Sequence, residues 1–160
     1  MRLSRLAIAV FLGLAVMVTA LAQDSNPIPF PEGYRNWYHV RSTLNKTGHS
    51  PEGNIGIQHV YANALAVEGV RAGTFPDGAM FVVDRFKFVE GDNNTVSQGE
   101  RKVIAVMLRD AQRYAETGGW GFEAFKAGDP NQRVVKDQKA CFACHIPHAD
   151  NNYLFTKSLN

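Results

Sequence analysis

The chain has 160 residues, among them 17 Lys and Arg, 15 Asp and Glu, 5 His and 2 Cys. That is one compact domain's worth of sequence, and the 45 % hydrophobic and 20 % charged fractions exclude a disordered or fibrous chain. A formal charge of +2 is too small to point to nucleic acid, and two cysteines are too few for a disulfide scaffold.

Residues 1–22 read as a secretory signal. Arg2 and Arg5 form a basic start, Leu6 to Val18 is an apolar run broken only by Gly13, and Ala20-Leu21-Ala22 offers small residues for cleavage. The 13-residue run is short for a membrane span, which needs about 20. Cleavage after Ala22 leaves one domain over residues 23–160 with 15 charges of each sign, so the mature chain is formally neutral. Export places it in an oxidising compartment.

Residues 23–33, with Pro27, Pro29 and Pro31, read as a loose arm. Strands are expected over Trp37 to Leu44, Ile55 to Tyr61, Ala79 to Val89, Arg101 to Leu108 and Trp120 to Lys126, all rich in β-branched and aromatic residues. The segment from Arg101 to Leu108 is apolar on both parities and so is expected to be covered on both faces. Loops are expected at Thr47 to Gly56, Gly91 to Gly99 and Ala127 to Arg133. Asn63 is a helix N-cap for an Ala-rich segment ending near Gly73. A second helix is expected over Val135 to His145, stopped by Pro147. The sum is α+β: a predominantly antiparallel β-sheet with a few helices.

The strongest local signal is Cys141-Phe142-Ala143-Cys144-His145. On a helix, positions i, i+3 and i+4 share one face. Two thiols so spaced reach the two vinyl groups of one haem, and the imidazole reaches its iron, which is the arrangement of a c-type haem attachment site. A thioredoxin-like pair calls for a βαβ context, and a zinc site needs four ligands, of which His148 supplies only one more. No Met follows His145, so a sixth iron ligand, if there is one, comes from upstream or from His148. His39, His49 and His59 read as structural or exposed.

Further strings stand around the motif: Tyr34-Arg35-Asn36-Trp37, Phe75-Pro76-Asp77-Gly78, Asp110-Ala111-Gln112-Arg113-Tyr114-Ala115, Gly119-Trp120-Gly121-Phe122 and Leu154-Phe155-Thr156. In this order, with a late Cys-x-x-Cys-His, the chain resembles cytochrome P460 and its relatives the cytochromes c′-β from about Tyr34 to Thr156. The resemblance implies a β-rich mono-haem c protein, usually dimeric and periplasmic, with His145 as proximal ligand and a distal pocket open to small molecules. It also implies two departures. The position of the lysine that cross-links to haem in P460 enzymes is Val83, and that of their distal glutamate is Ala105. Valine forms no amine–haem bond and alanine relays no proton, which weighs against hydroxylamine oxidation. Lys87, of the same parity as Val83, reaches the haem only if a bulge shifts the strand.

Taking Val83 and Ala105 as haem-facing, period-2 geometry adds Phe81 and Arg85 on one strand and Val103 and Met107 on the other. The pocket is then mostly apolar, suited to a small diatomic such as NO or CO. Met107 reads as a gap-filling core methionine or, alternatively, a thioether sixth ligand of an electron carrier; Met80 has the opposite parity. Arg85 is either a haem-propionate partner or a solvated strand charge, and Glu123 is a distal acid or an exposed residue. The leading expectation is one haem c, attached through Cys141 and Cys144, that binds a diatomic ligand. A P460-type oxidoreductase acting on hydroxylamine or NO and a simple electron carrier are the rivals. The expected partners are a small nitrogen compound or gas and redox proteins.

Overall fold

The computed structural model describes residues 27–159. Five strands, β1 (Tyr38–Asn45), β2 (Gly56–Ala62), β3 (Met80–Glu90), β4 (Val96–Arg109) and β5 (Trp120–Lys126), form one antiparallel sheet in chain order. Among the described residues two α-helices accompany it, α1 (Ala64–Ala72) and α2 (Gln138–Ala143). The fold is thus the expected α+β arrangement dominated by an antiparallel sheet. The expected signal over residues 1–22 lies outside the described residues.

α1 begins and ends where its capping residues dictate. The Asn63 side chain accepts a hydrogen bond from the Ala66 amide at 2.9 Å, and Gly73 closes the helix at φ 73°. The same side chain donates to the Gly78 carbonyl (2.8 Å) and accepts from the Met80 amide (3.0 Å), so it ties the helix start to β3. Asn63→Ala takes this partner from three backbone groups, the Ala66 and Met80 amides and the Gly78 carbonyl. It is expected to cost about 2 kcal/mol, read from the denaturant midpoint. Asn63→Asp, which keeps the acceptor, is expected to lose less.

Three expectations need correction. The loop read over Gly91 to Gly99 is only a tight turn, the 3₁₀ segment Asp92–Asn94, and β4 starts at Val96 rather than Arg101. Val96–Glu100 pairs with the end of β3 in a solvated hairpin, so no face is buried and no alternation marks it as strand. The helix expected from Val135 starts at Gln138. Arg133 and Val134 instead continue the sheet edge, through a bridge of Arg133 to Phe125 and a 2.9 Å bond from the Val134 amide to the Ala124 carbonyl. Pro147 does not stop that helix; it sits in the first turn of the 3₁₀ segment Ile146–Asn151. Finally, the described part of the arm is docked. Ile28 is 3 % exposed, Phe30 meets Phe125 edge-on at 5.0 Å, and Arg133 donates to the Ile28 carbonyl at 2.7 Å.

The sheet separates two cores. One face carries Met80, Val82, Ile104, Val106 and Phe125, covered by Ile28, Phe30 and Tyr34 of the arm. The other carries Val60, Ala62, Phe81, Met107 and Phe122, covered by α1, by Cys141 and Phe142 of α2, and by Tyr153 and Leu154. From Ile104 to Met107, β4 is therefore covered on both sides, as its double parity requires. On the arm side the Asp84 carboxylate is 1 % exposed and takes hydrogen bonds from the Tyr34 hydroxyl (2.5 Å), Arg35 (2.9 Å) and Arg101 (2.8 and 3.3 Å). Burial, reinforced by the adjacent carboxylate, pushes the Tyr34 phenol above its ordinary range.

Candidate haem site

Helical backbone continues past α2 through Cys144 (φ −71°, ψ −20°) and His145 (φ −93°, ψ −21°), with the His145 amide bonded to the Phe142 carbonyl at 2.7 Å. The two thiols and the imidazole thus keep the i, i+3, i+4 relation on one turn. Asp137 starts the helix by accepting from the Lys139 amide at 2.9 Å. Neither cysteine is in a disulfide; Cys141 is half-buried against the core and Cys144 is exposed. Burial raises the Cys141 pKa above that of a free thiol.

The His145 ring is oriented on three sides. Its Nδ1 lies 2.7 Å from the Tyr153 carbonyl, which can only accept, so Nδ1 carries the proton and Nε2 keeps its lone pair. Phe122 and Phe155 flank the ring, each with its centroid 4.9 Å away. Burial also lowers the His145 pKa, favouring the neutral imidazole a metal requires. Tyr153 reaches back because Asn152 and Tyr153 both take left-handed backbone, φ 53° and 63°. Its ring packs on Phe142 at 5.0 Å and so closely over Gly118 that a Cβ there would overlap it.

Facing this turn is the apolar side of the sheet, and cross-strand register places the expected residues on it in rows. Phe81 pairs with Met107, and Met107 with Phe122; Val83 pairs with Ala105, and Ala105 with Ala124; Arg85 pairs with Val103. Phe81 and Met107 are 5 % and 7 % exposed, whereas Val83, Ala105 and Arg85 are half-buried. The rows therefore open from a closed apolar floor toward Val83, Ala105 and Arg85. Met80 points into the other core.

The motif strings interlock on both faces of the sheet, Tyr114 on the arm side and Trp120 beside the floor. The Tyr114 ring lies directly over Gly121, leaving no room for a Cβ. Arg109 donates to the Gly118 carbonyl at 2.6 Å and stacks on Trp120 at 5.6 Å.

Residues 31–156 match the family model described as cytochrome P460. The chain belongs to the cytochrome P460 family. No curated protein matches it. Membership of the cytochrome P460 family makes the chain a c-type haem cytochrome. The residues present fit that group. Paired thiols and a neutral, aimed imidazole stand on one turn, an apolar sheet face lies opposite, and the half-buried Arg85 has no carboxylate partner among the described residues. Among those residues no three His, Cys, Asp or Glu side chains gather to hold a bare metal ion.

Lys87, Glu123, His148, His39 and His59 stand outside these rows. β3 does depart from regular register around Phe86, yet Lys87 is a surface residue paired with Glu100 at 2.6 Å. Glu123 sits opposite Val106, on the arm side of the sheet, and pairs with Arg133 at 2.9 Å. His148 packs edge-on against Phe155 at 4.4 Å. His39 and His59 meet through Ser42 on the surface.

Two contributors carried no sequence signal. Tyr153 acts through its backbone carbonyl, for which any residue type serves. Arg41 reaches the apolar face only through a bulge. Between His39 and Arg41 the β1 register shifts, setting Arg41 beside Val60, in the row of Val83 and Ala105.

Proposed function

We propose that this cytochrome P460-family protein is a periplasmic, exported mono-haem c protein that binds a small, weakly polar diatomic ligand such as NO or CO. The haem is held by thioethers from Cys141 and Cys144, with His145 as proximal ligand. The observation carrying this reading is the Val83–Ala105 pair at the centre of the half-open apolar rows. Where the P460 reaction relies on a lysine and a glutamate, these positions offer two hydrocarbon side chains. Bound haem supplies an iron with affinity for diatomics; the chain supplies orientation and dryness. Tyr153 fixes His145, Phe122 and Phe155 hold its ring, and the floor of Phe81 and Met107 excludes water.

Adding CO and then NO to the ferrous mature protein tests this. Saturable changes in the optical spectrum with both gases, without hydroxylamine turnover, are expected. Hydroxylamine turnover, or a ferrous spectrum insensitive to both gases, overturns the reading. Met107, in this proposal, packs the floor and does not ligate the iron. Met107→Ala is expected to leave the ferric spectrum unchanged and to cost about 2–4 kcal/mol of stability for the cavity it opens. Loss of a low-spin spectrum in that variant would instead identify it as the sixth ligand.

A further inference from the structure

Three arginines with carboxylate partners are served on the arm side of the sheet: Arg35 and Arg101 by Asp84, and Arg133 by Glu123. Arg41 and Arg85 are different. Each has a buried Nε with no hydrogen-bond partner, a feature Arg109 shares although its guanidinium is held by the Gly118 carbonyl and the Trp120 ring, and among the described residues neither Arg41 nor Arg85 meets a carboxylate. Arg85 is restrained only by neutral oxygens, Gln58 Oε1 at 3.2 Å and the Gly53 carbonyl at 3.5 Å. Loss of hydration lowers its pKa, the mark of a buried cation without a counter-charge. A guanidinium withdrawn from water costs several kcal/mol unless an anion meets it.

Both residues stand on the face that looks toward the haem-binding turn. Arg41 shares the row of Val60, Val83 and Ala105, and Arg85 the next row, with Gln58, Val103 and Lys126. Neither row contains a carboxylate. Two strand spacings and one residue pair separate the two Cα atoms by about 12 Å, a span that two long side chains close from opposite ends. The bulge in β1 matters here, because regular pairing would turn Arg41 to the other face.

We infer that Arg41 and Arg85 form a two-point clamp for the two propionate carboxylates of the haem. The clamp rests on the haem c reading above, and it sets the group's rotation and its charge environment. Planar guanidinium forks match carboxylates, and the apolar surround strengthens each pair.

The thioethers keep the haem in place when the clamp is removed, so its loss is readable in holoprotein. The variants are Arg41→Gln, Arg85→Gln, the double variant, and Arg113→Gln as a charge control. Each clamp variant is expected to lower the haem midpoint potential and shift the propionate bending bands in resonance Raman spectra, with both effects largest in the double variant. Arg85→Lys is expected to restore the potential in part and the bands little. The control is expected to change neither. Haem present with potential and bands unchanged in the double variant overturns the clamp. So does a wild-type potential that moves with added phosphate or nitrite while the bands ignore the substitutions, since the arginines would then hold a free oxyanion. A mature chain that carries no haem sinks the haem c reading itself and is told apart by its mass.

Discussion

Replacing Cys141 and Cys144 together by alanine is expected to abolish covalent haem: the denatured chain loses its haem stain and its mass falls to that of the bare polypeptide. The two cysteines are not equivalent. Cys141 is half-buried within the core cluster beside Phe142, while Cys144 is exposed at the end of α2. Cys144→Ala is therefore expected to leave one thioether and a nearly unchanged fold. Cys141→Ala loses its bond and also a packed sulfur, costing about 1–2 kcal/mol more. His145→Ala separates attachment from ligation. Both thiols remain, so the haem stays bound, but the iron loses its oriented imidazole and the ferric and ferrous spectra both change. A spectrum unchanged by His145→Ala would show that another group holds the proximal side.

The second large effect lies on the opposite face. Asp84→Asn keeps the shape of the side chain but removes the charge that Arg35, Arg101 and the Tyr34 hydroxyl converge on. Arg35 is half exposed and rehydrates cheaply; Arg101, at 28 % side-chain exposure, does not. Breaking a buried pair in this way costs about 3–5 kcal/mol, or roughly 10 °C in melting temperature for a domain of this size. Because the Asp84 side chain lies on the face of the sheet opposite the apolar rows, the haem spectrum is expected to stay unchanged while the chain melts earlier. A spectrum altered along with stability would mean that the two faces of the sheet are coupled.

The alternating and doubly apolar strands were legible because half-buried and fully buried faces leave a period-2 mark. Asn63 and Gly73 were legible because caps demand particular residue types. With Val83 and Ala105 taken as haem-facing from the resemblance, strand parity assigns Phe81, Arg85, Val103 and Met107 to the same face, and register places them there. What could not be read is equally physical. Val96–Glu100 pairs in water, where nothing selects for alternation. The β1 bulge breaks parity without a glycine to announce it, so Arg41 was invisible. Tyr153 contributes a carbonyl, which every residue possesses. The Asp84 cluster joins residues 34, 35, 84 and 101, and only the docked arm brings them together.

A haem iron held by His145 alone, with its other side open toward an apolar sheet face, has a distinct magnetic signature. Electron paramagnetic resonance of the ferric mature protein at neutral pH reads it directly. A high-spin, five-coordinate signal is expected; a low-spin, six-coordinate signal would contradict the open distal side and the diatomic-binding role built on it.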